Sequence, residues 1–305
     1  MMRPARRPGV FGRARPRWRE YRRALHHFTR SRLAVAGAVI VAAYVLVALL
    51  APVIAPPAPG QPDPYHMPFD FRADKLPPSG EHWFGTGNIG VDLFYGVVWG
   101  ARISIVMGVG VTFVGAVVGT LVGAFAGYRG GRLDEGVMRI TDVFLSMPLL
   151  IVAMGVAVAL GRGLGNIALA LMIVWWPSYT RLVRSQVLAL RDQPYVEAAR
   201  AMGASDARIV VRHILPNAMS PVLVQATLDI GTVVLVSSAL SFIGFGPGGA
   251  DYAEWGTLVA SGQEYMLQAW WAVTLPGLAI FGFVLAFNLL GDGLRDLADP
   301  RLRGE

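Results

Sequence analysis

The chain is punctuated by apolar runs long enough to cross a bilayer, and that pattern removes most folds from consideration. An apolar stretch of about 18 or more residues spans the hydrocarbon layer as one helix. Backbone polar groups find no water there, so such stretches fold as packed helices. Six runs are present: Leu33 to Ala55, Ile103 to Ala126, Val143 to Leu160, Leu164 to Tyr179 with continuation to Leu190, Ala218 to Phe245, and Leu267 to Leu290. Only Gly161-Arg162-Gly163, a tight turn, separates the third from the fourth. Just 15% of the 305 residues are charged and 54% are hydrophobic, with mean hydropathy +0.49. Soluble domains carry about 25% charged residues. The predicted fold is an all-α membrane protein with six transmembrane helices.

The arginines predict the orientation, because basic residues accumulate in cytoplasmic loops. Residues 1–32 hold eleven arginines. Arg129, Arg132 and Arg139 lie between runs two and three; Arg181, Arg184, Arg191, Arg200, Arg208 and Arg212 lie between or beside runs four and five. Arg295, Arg301 and Arg303 follow run six. The opposite side has Arg72, Lys75 and Arg162, with Arg102 at a boundary. Both termini are therefore expected in the cytoplasm, and loop 246–266, with Asp251, Glu254 and Glu264, outside. The first run is too long for a secretory signal, and Pro56-Pro57 follows it in a poor cleavage context. The basic tail is expected on anionic headgroups, each base contributing about 1 kcal/mol, or as a leader that only sets orientation. No nucleic-acid motif accompanies it.

Several chemistries are excluded. The chain has no cysteine, so thiol nucleophiles and Cys-ligated metals are absent. Its five histidines include no His-Glu-x-x-His pair. Lys75 is the single lysine, and its Asp74-Lys75-Leu76 setting is not the Gly-Lys-Ser/Thr of a phosphate-binding loop. Active transport by this chain needs a partner or an ion gradient.

A polar, helix-forming insert lies between runs four and five. Asp192 can cap a helix with Pro194 in its first turn, and Tyr195 to Met202 favours helix. Gly203 is a natural stop, and Ser205 or Asp206 can cap a second helix ending near Pro216. The small Ala198-Ala199 face admits a partner surface, rimmed by Glu197 and Arg200. Spacing alone leaves open a loop that is merely helical.

The residues of this insert are Glu197-Ala198-Ala199, three residues, Gly203-Ala204, then Arg212-His213-Ile214-Leu215-Pro216-Asn217. They resemble the loop that binding-protein-dependent ABC permeases present to their ATPase subunits. The general motif often has Ile at the place of His213. The likeness covers most of the chain from His82 onward. His82-Trp83-Phe84-Gly85-Thr86, Gly100-Ala101-Arg102-Ile103-Ser104, Gly127-Tyr128-Arg129-Gly130-Gly131, Leu240-Ser241-Phe242-Ile243-Gly244 and Leu289-Leu290-Gly291-Asp292-Gly293-Leu294-Arg295-Asp296 follow in order. Together they resemble the C-type permease subunit of dipeptide, oligopeptide and nickel ABC importers. Gly87 and Val91 depart from the family's usual Asp and Arg, with Asp92 kept; Ser237 stands where Glu is frequent, and Asp229 where a small residue is common.

This resemblance implies the type I ABC importer permease fold and alternating access. It implies ATPase-coupling residues Glu197, Ala198, Ala199, Arg200, Gly203, Ala204, Leu215 and Pro216. The implied partners are a second homologous permease subunit, two ABC ATPase subunits that use ATP and Mg, an extracytoplasmic solute-binding protein and the lipid bilayer. No cofactor or metal is expected on this chain, which is not an enzyme. Short peptides are the expected solute; nickel or a glutathione-type solute are alternatives, as is an ion-coupled secondary carrier using Asp229. A membrane enzyme is disfavoured by the missing catalytic groups. The expected organisation is a basic tail 1–32, a first helix 33–55, an external loop 56–98, a five-helix core 99–294 containing coupling loop 192–217, and a tail 295–305.

Three further features carry expectations. Asp229 lies deep in run five, where an ionised carboxylate needs water or a partner. It is read with Ser237 and Ser238 as lining a translocation pathway, or alternatively as a bundle-facing group. Gly115, Gly119, Gly123 and Gly127 form a small-residue ridge for close helix packing, with its partner helix undecided. Trp83, Trp99, Trp175-Trp176 and Trp270-Trp271 read as interfacial belts.

Overall fold

The computed structural model describes residues 31–249 and 251–298. The basic tail up to residue 30 and the end with Arg301 and Arg303 lie outside the described residues. Ten α-helices follow in order: α1 (Arg32–Ile54), α2 (Leu93–Arg129), α3 (Gly131–Ser146), α4 (Leu149–Leu160), α5 (Leu164–Leu190), α6 (Pro194–Ala201), α7 (Asp206–Ile209), α8 (Leu215–Leu240), α9 (Trp255–Gln263) and α10 (Trp271–Ala298). Wide π turns, Val210–Ile214 and Ser241–Phe245, flank α8.

Four described segments are long and apolar enough to cross a membrane: Arg32–Ile54, Leu93–Arg129, Asp206–Phe245 and Trp271–Leu297. The bent pair α3 and α4, taken together, makes a fifth. The expected third span is corrected here. The chain breaks at Met147 and bends by 94° between α3 and α4. Pro148 forces the residue before it out of helical geometry, and Met147 is extended at ψ 144°. With 12 residues, α4 is about 18 Å long, short of the roughly 30 Å hydrocarbon layer.

The expected fourth span is one helix, α5, with 27 residues. It falls short of that apolar standard because Asn166, Ser178, Arg181, Arg184 and Ser185 interrupt its apolar residues. Ile167, Leu171, Tyr179, Thr180, Val183 and Val187 are fully buried, so one face of α5 packs against protein. The second span begins at Leu93, ten residues before Ile103, because the Asp92 carboxylate caps it by accepting from Tyr95 N at 3.0 Å. The other Asp92 oxygen meets His82 Nδ1 at 2.8 Å, fixing the loop before α2.

The glycine ridge finds its partner inside this chain. A Cβ on Gly119 would stand 2.4 Å from Tyr179 Cβ, and one on Gly123 2.4 Å from the Thr180 carbonyl oxygen. Gly115 faces Trp175, and Gly127 faces Arg184. The ridge therefore seats α5 directly on α2. At the other side of the bundle α1 rests on α10: Gly37 lets the backbone reach Leu290, and Tyr44 donates to Ala279 O at 2.8 Å. The opposite face of α1 is apolar and exposed, with Leu33, Val39, Leu49 and Val53 facing outward.

The end of the bundle remote from residues 191–214 is closed by the 56–92 loop and α9. Buried Trp99 donates to Ala55 O, Trp255 to Val97 O and Trp271 to Thr86 O. Gly90, at φ +73°, lies so close to Asp70 O that a Cβ would stand 1.8 Å from it. Glu254 caps α9 by accepting from Gly256 N and Thr257 N, and burial pushes its carboxyl above the usual carboxylate range. The belt expectation is corrected accordingly. Trp83 and Trp270 are exposed, whereas Trp99, Trp175 and Trp271 are buried and spend their N–H groups on protein oxygens.

Candidate functional site

The insert between α5 and α8 folds as an elbow. Gln193, not Asp192, precedes the first helical turn, and neither caps α6 with a side chain; Pro194 occupies the first position, where a missing N–H costs nothing. The helix α6 stops at Gly203, which sits at φ +81°. Gly203 N donates to Arg200 O at 3.0 Å and Ala204 N to Ala199 O at 3.1 Å, the paired bonds of a left-handed helix stop.

The second arm does not end near Pro216. After α7 the backbone continues through Val210–Ile214 into α8 as one segment. Leu215 N reaches back five residues to Val210 O. Pro216 has no N–H for the next bond and its ring crowds the preceding turn, so the helix widens instead of breaking.

Helical geometry divides the Ala198-Ala199 pair. Consecutive residues point about 100° apart on a helix. Ala199 is buried with Val196, Ile209 and Ile214 in the core, while Glu197, Ala198, Arg200 and Gly203 are exposed. Ala204 and Leu215 are half-buried, and Pro216 is exposed. Met202, 83% exposed, is the tip of the elbow.

Residues that the sequence reading did not single out as partners hold this elbow on the bundle. Arg191 Nη1 donates to Gly127 O at 3.0 Å. The Tyr128 hydroxyl donates to Asp206 Oδ1 at 2.8 Å. Beside them Arg184 grips Asp134 with two bonds, Nε to Oδ1 at 2.5 Å and Nη2 to Oδ2 at 2.6 Å. That hydrogen bonding holds the Asp134 carboxyl below the usual carboxylate range. Arg181 also pairs with Asp142. Each pairing joins residues far apart in sequence, so only spacing within α3 and α5 could have hinted at it.

The expected pathway residues are elsewhere. Asp229 is 7% exposed on α8, accepting from Trp175 Nε1 at 3.0 Å and from Gln225 Nε2 at 2.9 Å. Ser237 is buried and donates to Val234 O. Ser238 is buried where Gly256 of α9 packs on its backbone. All three face the packed bundle of this chain rather than an open surface. Sequence depth placed them within the bilayer; azimuth on α8 turns them inward. Among the described residues no group of three or more His, Asp or Glu side chains could hold a metal ion.

Residues 119–304 match the family model described as "Binding-protein-dependent transport system inner membrane component". The chain belongs to this permease family. A second model, the N-terminal TM domain of oligopeptide transport permease C, matches residues 20–78 of the permease. The permease is 43% identical over 275 residues to the probable D,D-dipeptide transport system permease protein DdpC of Escherichia coli K12, covering 90% of each chain. It is 38% identical to the dipeptide transport system permease protein DppC of Alkalihalophilus pseudofirmus, covering 94% of this chain and 90% of that one. It is 40% identical to the glutathione transport system permease protein GsiD of Escherichia coli, covering 94% and 91%. Its fold resembles an inward-facing MetNI methionine ABC transporter chain, with TM-score 0.56 and 24% identity, over 67% of this permease and 97% of that chain. The permease is thus an all-α, multi-pass ABC importer subunit with the type I fold.

Proposed function

We propose that this permease subunit moves short peptides across the cell's inner membrane, driven by ATP that partner subunits hydrolyse. The carrying observation is the elbow: an exposed face of Glu197, Ala198, Arg200 and Met202 on a helix whose buried face, Val196 and Ala199, is anchored in the core. Such a face suits a groove on a partner protein. It is the ATPase-coupling surface, with Gly203, Ala204, Leu215 and Pro216 shaping it and Ala199 acting from beneath. Two ABC ATPase subunits, using ATP and Mg, dock there. A second homologous permease subunit completes the pathway, and an extracytoplasmic binding protein delivers solute to the opposite end.

The arginine distribution supports placing the elbow and both termini in the cytoplasm. The chain contributes no chemistry of its own. Peptides are supported as the solute by the dipeptide relatives. The glutathione relative supports a second reading, in which the solute is a glutathione-type peptide. ATP drives the cycle only if the elbow contacts the ATPases differently in inward and outward states, since equal binding shifts nothing.

Co-expression with the ATPase subunits tests this reading. Glu197→Lys and Gly203→Asp are expected to abolish ATPase co-purification and ATP-dependent uptake of dipeptides. Survival of both activities in both variants would remove the coupling assignment.

A further inference from the structure

Two features that stood apart in the sequence, the glycine ridge and Asp229, meet in the structure. Gly115 and Gly119 of α2 are the floor on which Trp175 and Tyr179 of α5 are seated. Trp175 and Tyr179 are buried, and the indole N–H of Trp175 reaches across to the Asp229 carboxylate on α8. Gln225, one helical turn before Asp229, donates to the other carboxylate oxygen. The Tyr179 hydroxyl is buried beside the same carboxylate. Each helix contributes a pair four residues apart, and such pairs share one helical face. The α2 and α5 pairs are stacked in register, and Asp229 joins the α5 pair to α8.

The location of the stack gives it meaning. Helix α5 runs into the elbow and α8 runs out of it. Bonds between helices in a membrane join elements that apolar packing leaves free to slide, since lipid competes with side chains for the same surface. A carboxylate there is expensive unless it is bonded, so it holds its donors wherever they go.

We infer that Asp229 is a positioning residue that fastens α8 to α5 on the α2 floor, so that movement of the elbow carries the three helices as one body. This rests on the coupling role of the elbow proposed above. Without the fastening, the partner subunits still hydrolyse ATP and move the elbow, but α5 and α8 part and less solute moves per ATP.

The cysteine-free chain allows a direct measurement. Ser185 on α5 and Ser220 on α8 are exposed. Spin labels on Ser185→Cys and Ser220→Cys, in the complete transporter with its partner subunits, report the α5–α8 spacing with and without trapped ATP. The spacing is expected to stay constant in the parent and in Asp229→Asn, and to change between states in Asp229→Leu and Trp175→Phe. Dipeptide moved per ATP should fall about five- to tenfold in the latter two, within the usual range of coupling effects. If Asp229→Leu does not assemble, Trp175→Phe carries the test. A parent spacing that changes between states, or an assembled Trp175→Phe with parental spacing and parental transport per ATP, overturns the inference. Glu197→Lys distinguishes the underlying reading: if that variant still couples, the elbow assignment fails; if it does not, an intact ratio in Trp175→Phe removes only the role of Asp229.

Discussion

The Tyr128 hydroxyl, at the end of α2, donates to Asp206 Oδ1 at 2.8 Å, on the far arm of the elbow. Together with the Arg191 bond to Gly127 O, it ties both arms of the elbow to the same helix end. A hydrogen bond of this kind contributes about 0.5–1.5 kcal/mol net. Tyr128→Phe is therefore expected to weaken ATPase-subunit association about two- to tenfold. Titrated co-purification checks this; unchanged association would show that the elbow holds its shape without the bond.

The Gly203 position tests backbone geometry alone, because nothing lies within 4 Å of a Cβ built there. Holding alanine in left-handed geometry costs about 1–2 kcal/mol. Gly203→Ala should raise amide hydrogen exchange in residues 194–204 roughly five- to thirtyfold. Gly203→Asn should raise it less, since asparagine visits that geometry more readily. Equal exchange in the two variants would contradict the left-handed stop.

Opposite signs are expected along α2. Gly119→Ala drives a methyl into Tyr179 Cβ and the Trp176 carbonyl oxygen, whereas nothing stands within 4 Å of a Cβ on Gly110. Overpacking costs about 1–3 kcal/mol; alanine for an unhindered helical glycine stabilises by up to about 1 kcal/mol. Thermal unfolding in detergent should move down for Gly119→Ala and stay level or rise for Gly110→Ala. A drop of equal size in both would remove the close α2–α5 contact.

Asp134 and Arg184 predict an acid dependence. The Arg184 hydrogen bonds lower the Asp134 carboxyl in the folded state, below the unfolded value near 4. The contribution is thus complete above about pH 4 and is lost as pH falls through the folded value. Asp134→Asn should be less stable than the parent at neutral pH, and the two should converge on acidification. Parallel pH profiles in a thermal-shift series would contradict the pairing.

Much of the architecture was legible because its causes are local. Apolar run length marked the spanning helices, the proline at 194 and the glycine at 203 marked the limits of α6, and the order of motifs marked the family. Pro148 marks the break after α3 in the sequence too, although the apolar run from Val143 to Leu160 continues across it. Hydropathy reports burial in lipid or protein alike, whereas a proline acts on the backbone directly.

What remained undetermined were the azimuths of the helices. Gly119 announces that something approaches closely, yet only packing reveals that it is Tyr179. Ala198 and Ala199 read alike in sequence, and the rotation of α6 sends one outward and the other into the core. Asp229 had to be satisfied within the bilayer; Gln225 lies one turn away on the same helix, but Trp175 becomes a donor only when α5 and α8 assemble. The sequence by itself determined the helical class, most of the spanning segments and the limits of α6, because propensity, proline and glycine geometry and hydropathy act over a few residues. The tertiary structure decided which faces meet, because that depends on the combined packing of helices more than fifty residues apart.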